Sequence, residues 1–174
     1  MTEVNKNRTL EQRLQAIEDH LEILNLIAAH PLGADSASHD FAESFWLEDG
    51  TVDMAGQAKG YEAMIGVLNT PGFAEAQRQG ICHFAGLPHI EIDGDRAVAI
   101  SYLQILAADP DGKPFELSAH GTSKGFRVCR LSANRWELQR TPDGWRIKRR
   151  AVRGMDNPAA RELLRQTTNG VAAR

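Results

Sequence analysis

The segment NRWELQRTPDGWRIKRR, residues 134–150, carries the strongest indication of the fold. Two strand-like stretches flank residues 142–144 (Pro-Asp-Gly), a combination typical of a hairpin turn. Upstream, residues 96–108 are rich in Ala, Val, Ile and Leu, as a covered strand should be. Residues 93–95 (Asp-Gly-Asp) form a second turn signal, which separates that strand from the strand-like residues 81–92. We therefore expect a run of antiparallel strands in the second half of the chain.

The first helix is predicted to begin at Thr9, which can form a capping box with Gln12. Apolar residues then follow at helical spacing and give the helix one apolar face: Leu10, Leu14, Ile17, Leu21, Leu24 and Ala28. The helix is expected to end near His30, because Pro31 disfavours helical geometry in the residue before it.

Further helices are expected at residues 38–47 and 60–68, with a short strand at residues 51–54 between them. A C-terminal helix is expected to start at residues 156–158 (Asp-Asn-Pro), with the proline near its first position. Helices followed by a series of antiparallel strands indicate an α+β domain.

The composition is that of an ordinary globular protein. The chain has 174 residues, of which 42% are hydrophobic and 25% charged, and the net charge of −3 argues against a general nucleic-acid binder. No apolar run is long enough to cross a membrane, and we expect no membrane partner. Cys82 and Cys129 are expected to be buried free thiols, and so few cysteines fit a cytoplasmic protein. The expected organisation is a polar tail at residues 1–8, one domain at residues 9–168, and a second tail at residues 169–174.

Residues 9–155 resemble the SnoaL-like branch of the NTF2-like superfamily. Besides residues 134–150, the similarity rests on FAESFWLEDGTVD (residues 41–53), on His83 and on IEIDGDRAVAISY (residues 90–102). The resemblance implies a cone-shaped α+β barrel, in which N-terminal helices and a C-terminal helix accompany a curved antiparallel sheet. It also implies one pocket for a small, largely apolar molecule. Within this branch the chain is similar to scytalone dehydratase, bile acid dehydratase and hexachlorocyclohexane dehydrochlorinase.

These enzymes share an Asp–His pair, and the resemblance places Asp35 and His83 at the matching positions. A carboxylate bonded to one imidazole nitrogen fixes the tautomer and stabilises the imidazolium, so the pair could remove a proton from a substrate. The alternative is that Asp35 caps a turn and His83 is an ordinary core residue. If the pair is catalytic, the two side chains should lie roughly 2.6–3.2 Å apart. The chain departs from the dehydratases by placing His30 where they tend to carry tyrosine.

His30 could donate to a substrate oxygen, or it could be a surface cation at the end of the first helix. Arg149 is expected to share the inward face of the last strand with Trp145 and Ile147. There it would bind an oxyanion or a leaving group, or it would pair with an acidic neighbour. The residues proposed to contact the substrate are Trp136, Asn134, Met54, Phe45 and Tyr102.

The resulting hypothesis is a cofactor-independent lyase, a dehydratase or dehydrohalogenase, that acts on a small cyclic substrate. The alternatives are an isomerase or cyclase in the same pocket, and a non-catalytic ligand-binding domain. The sequence contains no nucleotide loop, nucleophile elbow or metal cluster, so we expect neither cofactor nor metal. A homo-oligomer is expected because the apolar strand that contains Val98 and Ile100 requires cover on both faces. The resemblance to the dehydratases, which tend to be trimers, implies a trimer before a dimer.

Overall fold

The computed structural model describes residues 8–54 and 57–166. The tail expected at residues 169–174, and most of the tail expected at residues 1–8, lie outside the described residues.

Nine strands and five α-helices form the described fold. The helices are α1 (Leu10–Asp35), α2 (His39–Glu43), α3 (Tyr61–Ile65), α4 (Pro71–Arg78) and α5 (Ala159–Arg165), and a 3₁₀ turn (Gly66–Asn69) follows α3. The strands are β1 (Trp46–Met54), β2 (Gln57–Gly60), β3 (Cys82–Ala85), β4 (His89–Asp93), β5 (Arg96–Ala108), β6 (Phe115–Leu117), β7 (Gly121–Ser123), β8 (Phe126–Thr141) and β9 (Gly144–Gly154).

Seven strands form one curved, open sheet in the order β2-β1-β9-β8-β5-β3, with β4 also paired to β5. The strands β6 and β7 form a separate ribbon. The hairpins of β4 with β5 and of β8 with β9 are antiparallel, as the turn signals predict. The long pair of β5 and β8 is antiparallel as well. The pairing of β1 with β9 is parallel, which corrects the expectation of a wholly antiparallel sheet. The chain can make this parallel pair because most of the domain lies between the two strands.

Helix α1 begins at the predicted capping box, where Thr9 and Gln12 each bond the other's backbone N–H. It does not end near His30 but continues through Pro31 to Asp35. The last turn is closed by the Ser36 N–H, which donates to the Leu32 carbonyl over 3.0 Å. Proline removes only one helical hydrogen bond, and burial of the surrounding turn outweighs that loss. The extra turn carries Asp35 to the sheet.

The predicted second helix is wrong in its second half, since α2 ends at Glu43 and β1 already begins at Trp46. A short apolar run fits a buried strand as well as a helix. Here pairing with β9 decides the outcome, because the Ile147 N–H donates to the Phe45 carbonyl over 2.8 Å. Trp46 then lies in the core, where its ring stacks on Tyr61 at 5.7 Å.

The main core lies between α1 and the inner face of the sheet. The contacts of α1 there are made by Ile23, Leu26 and Ile27, all buried. The apolar face read from the sequence is a different one, and Leu10, Leu14, Ile17 and Leu21 on it are each more than half exposed.

The other face of the sheet is partly covered by α5, which packs Ala160 and Leu163 against Ala133 and Ala151. Val98 is buried within the single chain, so this residue gives no reason for an oligomer. The oligomeric state itself stays a prediction. Both thiols differ from the expectation of full burial, since Cys82 is half-buried and Cys129 is exposed.

A buried carboxylate joins α1 to the hairpin of β8 and β9. Asp19 accepts from Arg140 Nη2 over 2.6 Å and from the indole N–H of Trp145 over 3.2 Å. Arg140 also bonds Asp95, whose side chain is 80% exposed. The hydrogen bonds from Arg140, ahead of the others, lower the pKa of Asp19.

Asp19→Asn should lower the free energy of unfolding by about 2–4 kcal/mol. It removes the buried negative charge that pairs with Arg140 and accepts a hydrogen bond from the Trp145 indole. Asp95→Asn is the matched control, since it changes an exposed partner of the same arginine and should have little effect. The folded pKa of Asp19 lies below its ordinary value of 3.8, so above that pH wild type should be more stable to unfolding than Asp19→Asn. This difference in stability should disappear as the pH falls through the folded pKa of Asp19. Urea unfolding at pH 7 and pH 3 measures both effects.

Candidate active site

A cavity of about 280 Å³ opens between the end of α1, helices α3 and α4, and the inner face of the sheet. Its wall is mainly apolar. The apolar side chains include Met54, Met64, Ile65, Phe73, Leu103, Ile105 and Val152, and the polar ones are His30, His83, Arg130, Ser132 and Arg150. An apolar cavity with a few convergent polar groups is the usual form of a small-molecule site.

Asp35 and His83 are in direct contact at this cavity. His83 Nδ1 lies 2.6 Å from Asp35 Oδ1, and the His83 backbone N–H donates to Asp35 Oδ2 over 2.8 Å. Gln77 Nε2 donates to the backbone carbonyl of Asp35 over 3.0 Å and so holds the end of α1. With the carboxylate as acceptor, the proton of a neutral His83 resides on Nδ1, and Nε2 is left free to accept another. The contact matches the predicted geometry, whereas its role in catalysis stays a prediction.

His30 is buried, so the surface cation considered from the sequence is ruled out. Burial first, then the charges of Arg150 and His83, hold its pKa well below the ordinary 6.5. Arg150 Nη1 donates to His30 Nε2 over 2.7 Å, so the neutral ring carries its proton on Nδ1. No hydrogen-bond partner for Nδ1 is found among residues 8–54 and 57–166. His30 therefore acts as a neutral acceptor that orients Arg150.

Of the two arginines in the cavity wall, Arg150 is the buried one. Its Nε and Nη2 donate to Asn134 Oδ1 over 3.0 and 2.8 Å, and its guanidinium lies 4.6 Å from the Trp136 ring centroid. Burial lowers the pKa of Arg150 to about 9, so the side chain is still charged at neutral pH. Within the described part of the chain, no carboxylate pairs with it. The charge is therefore oriented by neutral groups and is available to an anion in the cavity.

Arg149 does not face the cavity, contrary to the strand alternation assumed from the sequence. Glu137 pairs with Arg149 but Leu138 pairs with Ile147, so Lys148 is an extra residue in β9. Such a β-bulge reverses the faces of the residues that follow it. Arg149 turns outward, where its Nη2 meets Asp53 Oδ2 at 2.9 Å and its Nη1 meets Glu137 Oε1 at 3.4 Å. The acidic pairing considered as the alternative is thus the one observed, and Arg150 takes the inward place.

Of the five residues proposed to contact a substrate, Met54 lines the cavity. Trp136 and Asn134 lie behind Arg150 and support it. Phe45 belongs to the core, with its ring 4.7 Å from that of Phe41. Tyr102 is half exposed on the opposite face of β5 from Leu103.

The sequence reasoning missed Arg130, Ser132 and Arg150 at the cavity. Alternation counted backward from Asn134 along β8 would have indicated Ser132. No signal in the sequence marks the bulge that brings Arg150 inward. Among the residues that the structure describes, no cluster of His, Cys, Asp and Glu could hold a metal ion. No helix in those ranges is long and apolar enough to cross a membrane.

Helices packed on a curved open sheet around one apolar cavity define an NTF2-like protein. The SnoaL-like domain family matches residues 15–151, and the chain belongs to that family.

Solved structures support the same fold. An NTF2-like protein with a cystatin-like fold from Novosphingobium aromaticivorans is 30% identical, with a TM-score of 0.79 over 94% of this chain and 99% of that one. A Mycobacterium tuberculosis protein of unknown function is 20% identical, with a TM-score of 0.64 over 90% and 96%. The hexachlorocyclohexane dehydrochlorinase of Novosphingobium barchaimii is 16% identical, with a TM-score of 0.61 over 82% and 90%. No curated protein matches the chain.

His30 should remain neutral well below the pH at which a free histidine side chain protonates. The reason is that burial and the Arg150 charge both oppose the imidazolium. In Arg150→Met the titration midpoint of His30 should rise but stay below 6.5, because burial lowers the pKa of His30 more than the Arg150 charge does. NMR titration of proteins with ¹⁵N-labelled histidine measures the His30 midpoint in wild type and in Arg150→Met. A wild-type midpoint at or above 6.5 would contradict the neutral role assigned to His30.

Proposed function

We propose that the protein is a cofactor-independent lyase that eliminates water or hydrogen halide from a small, largely apolar cyclic compound. The observation that carries the proposal is the Asp35–His83 contact, which leaves one imidazole nitrogen free to act as a base at the cavity that Arg150 also lines. In an elimination the base takes the proton, and a buried cation in the same cavity stabilises the negative charge that develops on the leaving group.

In the proposed reaction, His83 Nε2 removes a proton from a substrate carbon. The electrons of that C–H bond form the new double bond, and the leaving group departs with its own bonding pair. Asp35 stabilises the imidazolium that results. A halide leaves as the anion, and His83 then gives its extra proton to solvent. A hydroxide takes back the proton that His83 Nε2 removed and leaves as water, which restores the neutral imidazole.

Arg150 replaces Arg149 and His30 as the group that meets the developing negative charge. Three neutral contacts hold its guanidinium: Asn134 Oδ1, His30 Nε2 and Met64 Sδ at 3.6 Å. No carboxylate in the described ranges pairs with the Arg150 guanidinium. Its positive charge can therefore interact fully with a departing anion or with a substrate oxygen. The apolar wall strengthens that interaction by keeping water away.

His83→Ala should lower kcat/KM by roughly 10²–10⁴-fold, the usual contribution of a general base. Asp35→Asn should cause a smaller loss, because the base remains but its tautomer is no longer fixed. A library of hydroxylated and halogenated cyclic compounds, with hexachlorocyclohexanes included, supplies the substrates. Mass spectrometry of the product separates the reaction classes.

A product that has lost water or hydrogen halide supports the lyase, whereas a product of unchanged mass indicates an isomerase or cyclase. Full activity of His83→Ala would place the base elsewhere. Compounds that bind wild type and His83→Ala equally, with no turnover by either, would indicate a ligand-binding domain.

Arg150→Met should lower kcat by roughly 10²–10³-fold, because it removes the cation but keeps most of the side-chain volume. Arg149→Met is the matched control, since it removes the same charge one residue away and outside the cavity. It should retain near-wild-type kcat. Circular dichroism checks that both variants are folded, and equal losses in the two would contradict a specific role for Arg150.

A further inference from the structure

A second arginine lies at the outer end of the cavity wall. Arg130, on β8, lines both the cavity and an adjoining outer groove that also contains Asp156. Arg130 is exposed, whereas Arg150 is buried, so the cavity has one cation deep inside and one at its opening. The elimination proposed above uses the inner cation and gives Arg130 no role.

The strand register sets the two arginines far apart. Arg150 on β9 pairs with Trp136 on β8, and Arg130 lies six residues before Trp136 on the same strand. At about 3.3 Å per residue, the backbone positions are roughly 20 Å apart along β8. The even spacing keeps Arg130 on the inner face of the sheet, together with Ser132 and Trp136. One ligand can therefore meet both cations only with its two opposite ends.

The Arg130 side chain is held through one of its nitrogens. Its Nε donates to Ser132 Oγ over 3.2 Å, and Ser132 is almost fully buried. Neither Nη1 nor Nη2 has a partner among residues 8–54 and 57–166, and in those ranges no ion pair joins Arg130 to Asp156 or to another carboxylate. The two Nη groups form the planar fork of donors that a carboxylate accepts with both oxygens.

The charges around the cavity do not balance. No Asp or Glu is found among the described residues of its wall, whereas two arginines are. The carboxylate beside the base is that of Asp35, which contacts His83 and offsets one of the two positive charges. The leaving group becomes negative only during the reaction. A bound molecule with one negative charge would neutralise the remaining excess, and a positively lined cavity attracts such a molecule.

We propose that the substrate is a small ring compound with a carboxylate group, and that Arg130 binds this carboxylate at the opening of the cavity. The inference rests on the proposed function, because the elimination assigns the leaving group to Arg150 at the inner end. The ring then lies between the two arginines, against apolar side chains such as Met54, Leu103 and Ile105. One guanidinium matches a planar carboxylate, whereas a phosphate has more charge and more acceptor oxygens than this group satisfies. Arg130 is thus a substrate-binding residue and takes no part in bond breaking.

Matched pairs of ligands test the charge of the bound molecule. The carboxylates of cyclohexane, benzene and naphthalene each have a carboxamide of nearly the same shape that carries no charge. Wild type should bind at least one acid about tenfold more tightly than its amide at pH 7, because a charged acceptor gains more from a guanidinium than a neutral one. Isothermal titration calorimetry measures both dissociation constants. The proposal is overturned if no acid in the panel binds more tightly than its amide.

Variants of Arg130 test where the carboxylate binds. Arg130→Met should abolish the preference for the acid, because it removes the charge but keeps most of the side-chain volume. Arg130→Lys should keep part of the preference, since an ammonium retains the charge but lacks the fork. The matched control is Arg127→Met, which removes an exposed arginine of the same strand that lies outside the cavity wall. This control should bind the acid like wild type.

Circular dichroism shows whether the variants are folded, which is expected because both changed arginines are exposed. An undiminished preference for the acid in folded Arg130→Met overturns the proposal. A preference that Arg150→Met abolishes and Arg130→Met keeps would place the carboxylate at the inner cation, and it overturns the proposal as well.

Binding and turnover distinguish this inference from the proposed lyase. The binding test needs no reaction, so an acid preference that depends on Arg130 supports the carboxylate site even where no compound is turned over. For an acid that is turned over, Arg130→Met should raise KM about tenfold and change kcat by less than about twofold, because the carboxylate contact is the same before and during bond breaking. A fall in kcat at unchanged KM in Arg130→Met would contradict a binding role and overturn the proposal.

Discussion

The pairing of β9 changes at Lys148, and the chemistry of the cavity depends on this one extra residue. Before it, Trp145 and Ile147 point into the core; after it, Arg150 and Val152 do. Regular alternation would place Arg149 and Ala151 at those inner positions. The bulge thus exchanges two neighbouring arginines, so that one pairs with Asp53 and Glu137 outside the cavity and the other brings a charge into the domain.

Burial of that charge is costly, and the surrounding residues show how the fold accommodates it. Asn134 accepts two hydrogen bonds from Arg150, His30 accepts a third, and Trp136 presents its ring face. None of these groups is an anion, so they satisfy the donors without neutralising the cation. A carboxylate in their place would stabilise the empty domain better but would compete with any anion that forms in the cavity. This arrangement is consistent with a site that sacrifices stability for function.

The sequence predicts the parts that depend on local signals. The Thr9 capping box and the hairpin turn at residues 142–144 follow from residue type and spacing. The contact of Asp35 with His83, 48 residues apart, was expected from the family resemblance and not from any local pattern. Arg150 could not be assigned, because a bulge depends on how β9 fits β1 and β8. The full length of α1 was missed for a similar reason, since packing around Pro31 overrides its local preference.

Helix α1 combines two roles, and its length keeps them apart. Its inner face supplies the core through Ile23 and Ile27 and the ion pair of Asp19 with Arg140. Its last two turns supply His30 to the cavity wall and Asp35 to the contact with His83. Had the helix ended at His30, as its proline suggests, Asp35 would lie in a loop and its hold on His83 would depend on that loop. The rigid last turn instead fixes the carboxylate against β3, which a base of defined tautomer requires.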